Sequence, residues 1–116
     1  MSAFETAANL NALHAALMVE ELRRSGVGLF VVAPGSRSAP LAVAVARNPR
    51  VTALVVVDER DAAFAAVGYA RATHRPACVI TTSGTAVANC LPAVVEADID
   101  HVPLVMLTAD RPPELR

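Results

Sequence analysis

The sequence predicts an α/β domain in which a parallel sheet is covered by helices on both faces. The apolar runs "VGLFVVAPG", "VTALVVV", "ACVITTS" and "PLVMLTA" are continuous and do not alternate polar with apolar residues. Strands of that kind are buried on both faces. Helical stretches separate them, and strand-helix-strand order gives parallel pairing through right-handed crossovers. At 116 residues the chain has the size of one domain with a core of its own.

The elements follow in order. From about Thr6 to Ser25, Leu10, Leu13, Leu17 and Leu22 recur at helical spacing, with Glu20, Glu21, Arg23 and Arg24 toward water. Gly26 is the expected stop of this amphipathic helix. "VGLFVVAPG" is a strand that ends at Pro34 and Gly35. "SAPLAVAVARN" is a helix with Ser38 as cap candidate and Pro40 in its first turn. "VTALVVV" is the second strand, and a helix from about Asp58 to Ala72 follows, with Asp58 as its cap. "ACVITTS" is the third strand. In the helical stretch "GTAVANCLPAVVEA", Pro92 should bend the helix or mark a first turn. After the fourth strand, "PLVMLTA", the chain stops at "TADRPPELR", where an open α/β domain ordinarily runs into another helix. Truncation on the C-terminal side is therefore expected. No solenoid-length repeat or low-complexity segment occurs.

Composition narrows the function classes. With 54% hydrophobic and 18% charged residues, and a mean hydropathy of +0.45, the chain is more apolar than an average soluble domain. Some of that surface should be meant for a partner or a further domain. No apolar run approaches the roughly 18 residues that span a bilayer, and the N-terminus lacks the layout of a signal peptide. A cytoplasmic location is expected. The net charge is −1 and the basic residues are scattered, unlike the footprint of a nucleic-acid binder. Cys78 and Cys90 have no C-x-x-C spacing and no histidine at ligand spacing, so buried free thiols are expected. His14, His74 and His101 are dispersed, and no metal ligands are assigned.

Ligands of open parallel sheets bind beyond the carboxyl ends of the strands. Here those ends carry "PGSRS", "DER", "TTSGT" and "ADRPPE", which places four polar turns on one rim. The chain has no Walker phosphate loop, no G-x-G-x-x-G fingerprint and no G-x-S-x-G elbow. Taken singly, each residue has an ordinary structural account. Ser36, Ser38 and Ser83 suit caps and turns, and Glu59 suits a first helical turn, where the dipole favours an acid. Arg37 and Arg111 suit a solvated surface, yet both stand beside Gly or Pro on the ligand rim, where a guanidinium can grip a carboxylate bidentately. Ordinary structure strains to cover all four turns together.

The stretches "APGSRSAPL", "DERDAAFAAVGYARAT", "TTSGTAVANCLPAVVEA" and "LTADRPPEL", in this order, resemble the N-terminal part of the 2-succinyl-5-enolpyruvyl-6-hydroxy-3-cyclohexene-1-carboxylate synthase family. These are thiamine diphosphate enzymes of menaquinone biosynthesis, and the resemblance spans nearly the whole chain. It implies a thiamine diphosphate-binding fold, with residues 1–116 as the N-terminal part of the pyrimidine-binding domain. It implies that Glu59 hydrogen-bonds N1′ of the aminopyrimidine and favours its imino form. It further implies that Pro34, Thr82, Ser83, Gly84 and Thr85 lie beside that ring, and that Ser36, Arg37 and Arg111 contact anionic substrates. The implied reaction is a transferase reaction in which 2-oxoglutarate is decarboxylated and its four-carbon unit is added to isochorismate. In such enzymes a C-terminal domain with a G-D-G…N signature holds the diphosphate and Mg2+. That signature does not occur in this sequence, so the chain alone is expected to be inactive. The active site would lie between subunits of a homodimer or tetramer.

Two alternatives stay open at the level of sequence. One is another thiamine diphosphate carboligase or decarboxylase of acetolactate synthase type, which shares the glutamate but has no need of Arg37 and Arg111 for dianionic substrates. The other is a non-catalytic α/β interaction domain whose rim turns are only caps. It predicts a soluble, cooperative monomer, whereas a piece of an oligomeric enzyme should self-associate.

Overall fold

The computed structural model describes residues 7–116. Helix α1 spans Leu10–Arg24 and is capped by Asn9, whose side chain accepts from the Ala12 N–H at 2.9 Å. The expected start at Thr6 lies outside the described residues, and the helix begins only after the Asn9 cap. Its end is a Schellman motif: Gly26 N–H donates to Arg23 O and Val27 N–H to Leu22 O, both at 3.0 Å.

The buried face of α1 corrects the leucine stripe. Ala15, Ala16 and Val19 are buried, whereas Leu10 and Leu17 are 79% and 49% exposed. Leu22 packs at the core margin, and Glu20 is half-buried, paired with Arg23. Small residues on the inward face let α1 lie close against α2, and bulky leucines there would hold it off.

Strand β1 (Leu29–Val32) leads through Ala33–Ser38 into α2 (Ala39–Arg47). Strand β2 (Ala53–Val55) leads into α3 (Glu59–Thr73), and β3 (Ala77–Thr81) leads into two short helices, α4 (Thr85–Asn89) and α5 (Leu91–Ile99). The predicted single helix is broken at Cys90, and Pro92 stands in the first turn of α5, where its missing N–H costs nothing. Strand β4 (Leu104–Thr108) follows, and a 3-10 turn at Pro113–Leu115 comes last.

The sheet has order β2-β1-β3-β4 and all its pairs are parallel, as predicted. Phe30 of β1 stands opposite Ala53 of β2 and Cys78 of β3, and Thr81 of β3 stands opposite Thr108 of β4. Strand alternation sends the core both ways. Phe30, Val32, Cys78 and Ile80 face α1 and α2, while Leu29, Val31, Ala77 and Val79 face α3 and α5. Helix α3 meets the sheet through Ala62, Ala63, Ala66, Val67 and Ala70.

Every residue of β1 and β3 is buried, and β4 packs Leu104 and Met106 against one core cluster and Val105 and Leu107 against the other. Strand β2 contains three residues, all exposed, rather than the whole of "VTALVVV", and β4 is mostly half-buried. Each edge strand pairs on one side only within this sheet, and its residues are correspondingly less buried than those of β1 and β3. Leu10, Val55, Val57, Leu91 and Ile99 add further exposed apolar surface.

Both cysteines are free and buried. Burial pushes the Cys78 thiol up to about 12. It also raises Cys90, with the Glu59 charge as the lesser cause. No helix among the described residues is long and apolar enough to cross a membrane.

Candidate functional site

The parallel sheet brings the four polar turns to one rim, because each follows the carboxyl end of its strand. Backbone bonds carry the ladder slightly beyond the strands. Ala33 N–H donates to Ile80 O, Val56 N–H to Val32 O and Ala109 N–H to Thr81 O, each at 3.0 Å. The turns therefore leave the sheet from fixed points.

The "PGSRS" and "TTSGT" turns lie against each other. The Arg37 N–H donates to Thr82 Oγ1 at 3.3 Å. Gly35 sits so close to Thr82 that a Cβ there would lie 2.3 Å from the Thr82 Cβ and 2.6 Å from its Cγ2. Ser38 occupies the predicted cap position of α2 without capping it. Its buried hydroxyl instead donates to Gly35 O at 3.1 Å, folding the turn back on itself. Gly35→Ala should therefore destabilise the intact protein by about 1–3 kcal/mol, because a β-branched threonine has little room to yield. Chemical unfolding checks this, and an unchanged midpoint would contradict the close approach.

The "DER" turn meets α4. Asp58 caps α3 as predicted, its carboxylate accepting from the Arg60 N–H at 2.9 Å. Glu59 is the first residue of α3 and is half-buried. Asn89, the last residue of α4, donates its side-chain amide to Glu59 Oε2 at 3.2 Å and to Asp58 Oδ1 at 3.3 Å. Just beyond it, the buried Cys90 sulfur lies 3.6 Å from the Glu59 carbonyl oxygen. Asn89 escaped the sequence reading, because its contact with Glu59 spans thirty residues and leaves no local pattern.

The remaining residues are more open. Pro34, Ser36, Arg37, Gly84 and Thr85 are exposed, and Thr82 and Ser83 are half-buried. Gly84 has φ +81, and a Cβ there would meet no atom within 4 Å, so the backbone of the "SGT" turn borders open space. The Arg111 N–H donates to Asp110 Oδ1 at 2.7 Å, and Arg116 bridges back to the Arg111 carbonyl at 3.1 Å and to the Asp110 carboxylate at 2.9 Å. Among the described residues neither the Arg37 nor the Arg111 guanidinium is in an ion pair. The rim thus carries a held carboxylate, a glycine turn that borders open space and two guanidiniums outside any ion pair among the described residues. The two guanidiniums can take an anionic ligand, and the Glu59 carboxylate can accept a hydrogen bond.

The family model "Thiamine pyrophosphate enzyme, N-terminal TPP binding domain" matches residues 14–116. The chain belongs to the thiamine pyrophosphate enzyme family. Among similar members of that family, a 2-succinyl-5-enolpyruvyl-6-hydroxy-3-cyclohexene-1-carboxylate synthase of Rubrobacter xylanophilus is 69% identical over 106 residues, covering 91% of this chain and 18% of the relative. One of the same name from Salinibacter ruber is 65% identical over 100 residues, covering 86% of this chain and 17% of the relative. Protein PHYLLO, chloroplastic, of Arabidopsis thaliana is 57% identical over 109 residues, 94% of this chain and 6% of its own. The chain therefore spans a small part of the length of the curated relatives it matches. Membership of the family carries thiamine diphosphate as cofactor, and a held carboxylate and an open glycine turn at the two ends of α4 are compatible with its aminopyrimidine.

Proposed function

We propose that this chain is the N-terminal part of the pyrimidine-binding domain of a thiamine diphosphate-dependent synthase of menaquinone biosynthesis. The observation that carries the proposal is Glu59, half-buried at the sheet rim and held by Asn89. The identity to synthases of that name supports the choice of reaction. Thiamine diphosphate, when bound, supplies the electron sink for decarboxylating a 2-oxo acid.

The chain's own residues then have distinct tasks. The Glu59 carboxylate accepts a hydrogen bond from the ring at N1′ and holds a proton there. Such sharing is effective only for a positioned and partly desolvated group. Pro34, Thr82, Ser83, Gly84 and Thr85 border the aminopyrimidine, and Gly84 lets the backbone come close to it. Ser36, Arg37 and Arg111 bind the carboxylates of 2-oxoglutarate and isochorismate, for which charge-assisted bonds are the strongest available. The diphosphate and Mg2+ are held by residues outside this chain, in a homo-oligomer whose active site lies between subunits, in the cytoplasm.

The test is to supply the intact protein with thiamine diphosphate, Mg2+, 2-oxoglutarate and isochorismate. Carbon dioxide release together with formation of the adduct is the expected result. Turnover of pyruvate in place of 2-oxoglutarate, with no adduct to isochorismate, would favour a carboligase of acetolactate synthase type.

A further inference from the structure

A glutamate at the first position of a helix ordinarily samples several rotamers. Fixing it costs side-chain entropy. Glu59 is held across a gap of thirty residues in sequence by one group, the Asn89 side-chain amide. That amide has two hydrogens, and it uses them on two carboxylates, Glu59 Oε2 at 3.2 Å and Asp58 Oδ1 at 3.3 Å. Its orientation is dictated by chemistry, since the opposite flip would aim a carbonyl oxygen at two anions. The anchor is itself anchored. Asn89 ends α4, and the adjoining Cys90 is fully buried with its sulfur 3.5 Å from Ala86 O and 3.6 Å from Glu59 O.

The neutrality of the donor matters. An arginine or lysine in this place would orient the carboxylate but hold it strongly in the ionised form, reducing its capacity to share a proton. A carboxamide fixes one oxygen without adding a charge. Among the described residues Glu59 Oε1 has no side-chain donor, and it is the oxygen left for a ring nitrogen.

We propose that Asn89 is the positioning residue of the Glu59 carboxylate: it clamps Oε2, and through Asp58 the first turn of α3, so that Oε1 is presented in one orientation. This rests on the role proposed for Glu59. The experiment compares Asn89→Ala, Asn89→Asp and Glu59→Gln in the intact protein. Asn89→Asp keeps the shape, loses the donor and sets a third negative charge against Asp58 and Glu59, so its effects should exceed those of Asn89→Ala. Three quantities are read: kcat against KM for 2-oxoglutarate, the near-ultraviolet circular dichroism of the bound aminopyrimidine as a function of pH, and the Glu59 side-chain torsions in crystals of the cofactor-free protein.

Both Asn89 variants should lower kcat about 10- to 10²-fold, the scale of a misplaced reacting group, with KM nearly unchanged. They should displace the pH midpoint of the dichroic signal by about half a unit or more, and Glu59 should leave its single rotamer. If Glu59→Gln abolishes activity and the dichroic signal while both Asn89 variants match wild type in kcat, midpoint and torsions, the assignment of Asn89 is overturned and that of Glu59 stands. If Glu59→Gln itself leaves activity and signal intact, the role of Glu59 fails and the assignment of Asn89 falls with it.

Discussion

Glu59→Gln in the intact protein is expected to reduce turnover by at least about 10²-fold, the scale of a positioned acid-base group. The substitution conserves shape and leaves the buried face of α3, built from Ala62, Ala63 and Ala66, untouched. What it removes is the negative charge and the capacity to take up a proton. A glutamine can still accept a hydrogen bond through its carbonyl, so cofactor affinity should fall far less than turnover. Steady-state assay of carbon dioxide release, with cofactor binding followed separately, distinguishes the two effects. Activity within a few-fold of wild type would remove Glu59 from the chemistry and return it to the role of a first-turn acid.

Arg37→Ala should raise the KM for isochorismate about 10- to 10²-fold with a smaller effect on kcat, at roughly 1.4 kcal/mol per tenfold. Arg37 has its backbone N–H on Thr82 Oγ1 and its side chain exposed at the rim. The Arg37 backbone is thus tethered at the rim, and its guanidinium is in no ion pair among the described residues that substrate would have to displace. A dicarboxylate would gain a bidentate contact there. Arg37→Lys keeps the charge but not the planar fork and should recover only part of the loss. An unchanged KM would strengthen the alternative of an enzyme that acts on smaller monoanionic substrates.

The parts of the fold legible in sequence are those in which one local signal dominates. Strands β1 and β3 are continuous apolar runs buried on both faces. Asp58 caps α3, and Pro92 starts α5, because each residue type suits few other backbone positions. The buried face of α1 departs from the leucine stripe because leucines at helical spacing outweigh alanines in any periodicity argument, while the close packing of α1 on α2 favours the alanines. "VTALVVV" has the composition of a central strand, and only its place at the sheet edge shortens it to Ala53–Val55.

The site divides along the same line. The four turns could be marked from sequence, since each follows the end of a strand, and the resemblance to the synthase family singles out Glu59 among them. The contacts that fix them could not. Gly35 against Thr82 and Asn89 against Glu59 are made between turns far apart in the chain, and neither pair leaves a local pattern. Ser38 shows the converse case, a good cap residue at a cap position whose hydroxyl is drawn instead to the Gly35 carbonyl.

The most direct measurement of the central claim is a crystal structure of the intact protein with thiamine diphosphate bound, in which the distance from the Glu59 carboxylate to N1′ of the aminopyrimidine is read. A separation of roughly 2.5–3.0 Å, with Asn89 still on the other carboxylate oxygen, is the predicted result. An aminopyrimidine whose N1′ meets a different group, with Glu59 turned away to solvent beyond hydrogen-bond reach, would contradict it.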